Sequence, residues 1–175
     1  MWVFAYGSLM WRPDFPHADA RRALLRGYHR ALCVYSVRYR GTPERPGLVL
    51  GLERGGSCLG RAFRVAAEDA DAVTAYLDKR ELVTGVYAPK FVNVRLEDGE
   101  CVPAYVFLAR RDHEQYAGRL PAERTAELLV KGCGLEGSGL DYLRNTIAHL
   151  DQLGIPDGPL HRILALAEAK AGKRP

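Results

Sequence analysis

The chain has 175 residues, of which 47% are hydrophobic and 26% are charged. This length and composition suit one globular domain with a full core and exclude a disordered or low-complexity chain. No apolar run approaches the ~18 residues that a membrane-spanning helix needs. We therefore predict a single domain over residues 1–175, with strands and one helix in 1–110 and C-terminal helices in 120–172.

The N-terminal stretch MWVFAYGSLMW lacks the basic segment and the cleavage site of a signal peptide, so we predict a cytoplasmic protein without membrane insertion.

The net charge is +4. Arginines near three tyrosines allow a nucleic-acid-binding module, but arginines on the wet side of paired strands explain them as well, and we expect no nucleic-acid partner. An anionic small substrate would account for part of the excess. The arginines in question are Arg21, Arg22, Arg26, Arg30, Arg38 and Arg40.

Strands dominate the first part of the chain. Hydrophobic patterning predicts a strand over 2–6, a strand or broken strand pair over 24–39, and a loop over 40–47. It then predicts a hairpin of 48–53 and 58–65 around the turn 54–57, a helix from 70 to about 82, and a second hairpin of 91–96 and 101–109. Helices are predicted over 121–131, 139–153 and 159–171. This order indicates an α+β domain with a mixed, mostly antiparallel sheet.

Metal and nucleotide sites find little support in the sequence. None of the four cysteines stands in a CxxC pair and no histidine pair has ligand spacing, so we expect reduced thiols and no metal. The string Gly132–Gly137 matches GxGxxG, but a helix precedes it where the dinucleotide fingerprint needs a strand. We interpret it as a glycine-rich link between two helices.

The helix predicted after residue 70 has one unusual position. Ala70, Val73 and Leu77 form an apolar stripe, and the next position on that face is Glu81. Such a carboxylate is either solvated at a helix end or partly buried. Burial disfavours its charged form and raises its pKa, which suits a general base.

The first strand runs directly into Gly7-Ser8-Leu9. Glycine allows a close turn, and consecutive backbone N–H groups form a concavity that binds anions. Ser8 could alternatively be a nucleophile. It lacks the GxSxG elbow, and no His–Asp pair is evident, so we discount that role.

Three segments together resemble the ChaC-type γ-glutamylcyclotransferases, which act on glutathione. They are Phe4–Trp11, which contains Tyr-Gly-Ser-Leu; Arg40–Gly47, similar to an Arg-Gly-x-x-x-x-Pro-Gly loop; and Lys79–Tyr87, similar to the segment around the family's catalytic Glu. Weaker likeness continues through Tyr105–Leu108 and Asp141–Leu143. The likeness covers nearly the whole chain in order and spacing.

The resemblance implies a small barrel-like mixed sheet with flanking helices, no cofactor, and cleavage of glutathione to 5-oxoproline and cysteinylglycine. Glu81 matches the family's base. Tyr6, Gly7, Ser8 and Leu9 match its substrate-holding segment, and Tyr142 matches a tyrosine of its pocket. Leu48 departs from the family pattern, which often has Arg or another polar residue after Pro-Gly, and this leaves substrate contacts from that loop open.

Two other interpretations stay open at this point. The same base and loop would serve a cyclotransferase for other γ-glutamyl amino acids or amines. A non-catalytic regulator of a cation transporter, a role historically attached to the family's name, would have no need of Glu81. The sequence predicts no oligomeric state.

Overall fold

The computed structural model describes residues 1–172, and within them five strands form a closed barrel. The strands are β1 Trp2–Ala5, β2 Asp19–Ser36, β3 Gly47–Arg64, β4 Tyr87–Leu96 and β5 Cys101–Ala109. Helix α1, Ala70–Glu81, connects β3 to β4. The remaining elements are α2 Ala122–Lys131, β6 Cys133–Gly134, β7 Gly137–Ser138, α3 Gly139–Gln152 and α4 Gly158–Ala171.

The barrel is a mixed sheet with the strand order β1-β3-β2-β4-β5. β1 is antiparallel to β3 and parallel to β5, which closes the barrel. β4 is antiparallel to both β2 and β5. The predicted fold class, an α+β domain with a barrel-like mixed sheet and helices, is confirmed.

Alternation along the strands places one side-chain set inside the barrel. On β5 the set is Val102, Ala104, Val106 and Leu108, all at most 6% exposed. Phe4 of β1 belongs to the same buried cluster. The lumen is therefore a hydrophobic core that holds the ends of β1 and β5 in fixed positions.

The chain forms two compact units. The first contains residues 1–30 and 51–114, and the second contains residues 31–50 with the described residues from 115 onward. Within the second unit, helices α2, α3 and α4 pack on one another. A single domain over 1–175 stays a prediction, and its residues 173–175 lie outside the described part.

The hairpin predicted over 48–65 is wrong, because β3 runs through this region as one strand. Gly55 and Gly56 have φ angles of +94° and +69°, a backbone conformation that tight turns also use. Glycines within a strand commonly mark a local bend instead of its end. The carbonyl of Gly55 lies 2.9 Å from Nδ1 of His29 on β2, which keeps the bend within the sheet.

The described helices differ from membrane-spanning segments. None of those within residues 1–172 is both long and apolar enough to cross a membrane.

Gly60 sets the closeness of β3 to β1, and its substitution tests the packing of the first strand. A Cβ at Gly60 would collide with the carbonyl oxygen of Ala5 and lie 2.8 Å from the ring of Phe4. We expect Gly60→Ala to lower the free energy of unfolding by about 1–3 kcal/mol, the usual cost of overpacking. Urea denaturation measures this change.

The matched control is Gly158→Ala at the start of α4, where the new Cβ would meet only the end of the Arg162 side chain at 3.6 Å. We expect little change in stability there. Equal stability of Gly60→Ala and the wild-type protein would contradict this account of β1.

Candidate active site

The segment after β1 is an ordered turn. Ser8–Met10 form a single turn of 3-10 helix, closed by the N–H of Met10, which donates to the carbonyl of Gly7 at 2.9 Å. Leu9 and Met10 are buried, and these two apolar side chains anchor the turn. The backbone of the predicted binding segment is therefore held in one conformation by its own sequence.

Tyr6 is held at both its side chain and its backbone. Its hydroxyl donates to the carbonyl of Phe107 on β5 at 3.0 Å. Its carbonyl accepts from Nε of Arg30 at 2.5 Å, and Nη2 of the same arginine donates to the carbonyl of Leu59 at 2.7 Å. Arg30 is only 7% exposed. A buried cation thus fixes the point at which β1 enters the Gly7–Leu9 turn.

Glu81 is the last residue of α1 and continues its buried stripe. Val73 and Leu77 are 2% and 0% exposed, and the Glu81 side chain is 22% exposed. The helix ends there because Gly85 has a φ of +74°, which a helix cannot continue through, and its N–H donates to the carbonyl of Leu82. Glu81 is therefore partly buried at the helix end.

Burial sets the ionisation of Glu81. Loss of solvent raises the pKa of its carboxyl above the ordinary value, and the adjacent Arg80 cation opposes part of that rise. The Nε of Arg80 lies 3.3 Å from Oε1 of Glu81. Because the net direction is upward, the site holds a carboxylate that accepts a proton more readily than an ordinary glutamate.

Arg80 connects the end of α1 to the turn after β1. Its Nη2 donates to Oγ of Ser8 at 3.4 Å. Its Nη1 donates to the hydroxyl of Tyr76 at 2.9 Å and lies 3.3 Å from Oδ2 of Asp14. One guanidinium therefore contacts both Ser8 and Glu81. These two predicted site residues are held close to the same cation.

A second contact holds α1 to the barrel one turn before Glu81. The hydroxyl of Tyr105 on β5 donates to Oδ1 of Asp78 at 2.6 Å. Tyr105 is 6% exposed, and burial together with this hydrogen bond raises its pKa, so its hydroxyl stays protonated. The Asp78–Tyr105 hydrogen bond therefore restricts the rotation and translation of the helix that carries Glu81.

Tyr142, the remaining predicted site residue, lies on α3 in the second unit. Its hydroxyl accepts from the N–H of Leu50 at 3.2 Å. The guanidinium of Arg40 lies 5.4 Å from the centre of its ring. Its role as a pocket residue stays a prediction.

The GxGxxG string has a structural explanation within the second unit. Residues 133–134 and 137–138 pair as the small β6–β7 hairpin between α2 and α3. A Cβ at Gly132 or Gly134 would strike the backbone of residues 38–47, and Gly137 has a φ of +99°. The glycines therefore permit a close approach of two backbones.

A family model described as ChaC-like protein matches residues 1–170. The chain belongs to the ChaC-like family. This ChaC-like chain is 35% identical over 164 residues to the glutathione-specific gamma-glutamylcyclotransferase of Escherichia coli K12, covering 94% of the chain and 71% of the relative. It is 33% identical over 173 residues to glutathione-specific gamma-glutamylcyclotransferase 1 of Homo sapiens, covering 97% and 78%.

A solved structure shares the fold of the ChaC-like chain. The crystal structure of a yeast gamma-glutamyl cyclotransferase specific to glutathione superposes with a TM-score of 0.87, covering 98% of the chain and 96% of the yeast protein. At 22% sequence identity this match shows the fold. The family resemblance inferred from the three sequence motifs is confirmed.

Four residues that hold the candidate site together were assigned no role in the sequence analysis. Arg80 stands next to Glu81 within the Lys79–Tyr87 motif, so its sequence position could have indicated a role beside Glu81. Asp78 and Tyr105 are 27 positions apart and become partners only through the packing of α1 on β5. Arg30 was grouped with other arginines as a possible basic face, whereas it is buried and binds backbone carbonyls.

The raised pKa of Glu81 has a consequence for the stability of the ChaC-like protein. A carboxyl with a higher pKa in the folded than in the unfolded state binds protons more tightly when folded, so stability falls as the pH rises through the two values. We therefore expect Glu81→Gln to be more stable than the wild-type protein at pH 7. The difference should shrink as the pH falls towards 4.5, the ordinary glutamate value, and below it.

Thermal or urea unfolding at a series of pH values measures this difference. Glu97→Gln, at an exposed position in the turn after β4, is the matched control and should show no such pH-dependent gain. Lower stability of Glu81→Gln than of the wild-type protein at pH 7 would show that the charged carboxylate is not a net cost to the fold.

Proposed function

We propose that this protein is a γ-glutamylcyclotransferase that cleaves glutathione into 5-oxoproline and cysteinylglycine, with Glu81 as its general acid–base. The observation that carries the proposal is the partly buried Glu81 carboxylate, whose pKa is raised by burial and whose partner Arg80 also contacts Ser8. Family membership and the names of the curated relatives support the substrate.

The reaction rearranges bonds within one substrate molecule. The α-amine nitrogen of the γ-glutamyl group attacks its own side-chain carbonyl carbon and closes a five-membered ring. The bond between that carbon and the cysteine nitrogen then breaks. The attacking nitrogen loses two protons as it changes from an ammonium group to the N–H of the ring amide. The leaving nitrogen gains two protons as it changes from an amide N–H to an ammonium group, so no other reactant is consumed.

Glu81 supplies the proton transfers. The α-amine of the substrate is mostly protonated near neutral pH and becomes a nucleophile only when a base takes its proton. A raised carboxyl pKa narrows the gap to the amine pKa, and each unit of that gap costs about 1.4 kcal/mol. The protonated Glu81 then returns the proton to the leaving nitrogen. This type of catalysis accelerates reactions ~10²–10⁴-fold.

The Tyr6–Leu9 segment binds the substrate in this proposal. Its backbone N–H groups bind either the oxyanion that develops on the attacked carbonyl or the α-carboxylate of the γ-glutamyl group. Folding the γ-glutamyl chain into a ring-like geometry aligns amine and carbonyl, and such alignment supplies up to ~7–11 kcal/mol in favourable systems. Tyr142 is proposed as a further residue of the pocket.

Arg80 is proposed as a positioning residue for this chemistry. Its contacts with Ser8 and Glu81 fix the distance between the binding segment and the base. The cation also favours the charged form of Glu81, which a base requires. We further propose a cytoplasmic location, glutathione as the small-molecule partner, and a reaction that needs no cofactor, metal or nucleic acid.

Incubation of the purified protein with glutathione tests the reaction. We expect mass spectrometry to show 5-oxoproline and cysteinylglycine in equal amounts. Glu81→Gln should retain the fold and lower kcat by ~10²–10⁴-fold, because the amide cannot accept the proton.

Glu97→Gln removes a glutamate at an exposed turn position and should leave turnover unchanged. Parallel incubations with γ-glutamylcysteine and γ-glutamylalanine separate a glutathione-specific enzyme from a broader γ-glutamyl cyclotransferase. Intact glutathione after incubation with folded protein would refute the proposed activity, and near-normal turnover by Glu81→Gln would refute Glu81 as the base.

A further inference from the structure

A cleft of about 290 Å³ opens at one end of the barrel. Its floor contains Leu52 and Leu108, which belong to the buried cluster of the lumen, and Tyr28, which packs against that cluster. Ala88 of β4 completes this apolar floor. The cleft is therefore an outward continuation of the barrel core, with a volume near the lower end of the range for small-molecule sites.

The cleft exists because β2 and β4 separate. Their ladder joins three residue pairs, Ala23–Leu25 with Leu96–Val94. Two residues after Leu25, the last of these pairs on β2, Gly27 adopts a φ of +84°, which bends the strand. β4 continues along β5 to Tyr87, which pairs with Ala109. The wall between Tyr28 and the start of β4 is thereby left open.

The floor of the cleft is apolar, whereas its rim is cationic. Arg54 and Arg110 stand two positions after a residue that faces the core, and Lys90 stands two positions before one, so strand alternation directs all three to the same side. All three line the cleft. The corresponding core-facing residues are Leu52, Val92 and Leu108.

Two of the four cations at the rim have carboxylate partners. Nη2 of Arg110 lies 3.0 Å from Oδ2 of Asp112. Nε of Arg111 lies 3.7 Å from Oε1 of Glu53. These pairs account for both carboxylates among the residues that line the cleft.

Arg54 and Lys90 have no such partner. Within residues 1–172 neither side chain forms an ion pair, and both are exposed. The cleft therefore has two cations in excess over an apolar floor. A concave site lined by one sign of charge concentrates the electric field and attracts the opposite charge.

The cleft is connected to the candidate active site through hydrogen-bonded neighbouring segments. Nη1 of Arg110 donates to the carbonyl of Gly85 at 3.4 Å, four residues after Glu81. Leu108 of the floor directly follows Phe107, whose carbonyl accepts from Tyr6. Neither Glu81 nor the Tyr6–Leu9 segment lines the cleft.

We propose that this barrel cleft is a binding site for a small organic dianion, with carboxylate or phosphate oxygens on Arg54 and Lys90 and a short hydrocarbon body over Leu52 and Leu108. Arginine and lysine provide charge-assisted hydrogen bonds to either group. The apolar floor favours an anion with an aliphatic segment over a compact inorganic ion. The site is separate from the base and the binding segment of the proposed reaction.

Backbone amide NMR titration of the full-length protein tests the proposal. The probes are glutarate, a five-carbon dicarboxylate, its neutral diamide glutaramide, and inorganic phosphate. We expect saturable shifts with glutarate at the amides of residues 52–54, 88, 90 and 110–112, and at least tenfold weaker binding of glutaramide. Phosphate should shift the same amides with lower affinity, because it lacks the hydrocarbon body.

The double variant Arg54→Gln with Lys90→Gln should weaken glutarate binding at least tenfold. The matched control, Arg26→Gln with Arg95→Gln, removes two exposed charges on β2 and β4 outside the cleft and should change affinity less than twofold. The proposal is overturned by glutarate shifts confined to the Tyr6–Leu9 and Glu81 amides, by no saturable shift, or by equal affinity in both double variants.

Discussion

The guanidinium of Arg80 is the physical connection on which the candidate site depends, since it contacts both Glu81 and Ser8. A carboxylate that continues an apolar helix stripe loses contact with solvent, which raises the free energy of its charged form. A nearby cation offsets part of this desolvation cost. Burial and Arg80 act in opposite directions on the Glu81 pKa, and burial prevails. The result is a weakly stabilised carboxylate at the position of the proposed base, held near the turn that is proposed to bind substrate.

The barrel holds in place the two segments that Arg80 connects, the turn after β1 and the end of α1. β1 is short, but β3 on one side and β5 on the other hold it, and Gly60 allows β3 to approach closely. β5 then fixes both halves of the site. Its Phe107 carbonyl accepts from Tyr6, and its Tyr105 hydroxyl donates to Asp78 on the helix that carries Glu81. The same strand thus positions both the Tyr6–Leu9 segment and the helix that ends in Glu81.

Patterns local in sequence predicted most of the elements, the α+β class and the unusual position of Glu81. The double glycine at 55–56 was misassigned because the same backbone conformation serves a hairpin turn and a bend within a strand. Interactions between distant residues were inaccessible to such patterns. The burial of Arg30 beneath Tyr6 and the Asp78–Tyr105 hydrogen bond arise only when the barrel closes, so no periodicity reveals them.

The central claim is that partial burial makes Glu81 a stronger base than an ordinary glutamate. The most direct measurement is a carbon-13 NMR titration of the side-chain carboxyl carbons in glutamate-labelled protein, with the Glu81 signal assigned by its absence from Glu81→Gln. The account predicts a Glu81 pKa above 4.5, the ordinary value. Titration at or below that value would contradict it, because Arg80 would then outweigh burial and the carboxylate would be a poor proton acceptor.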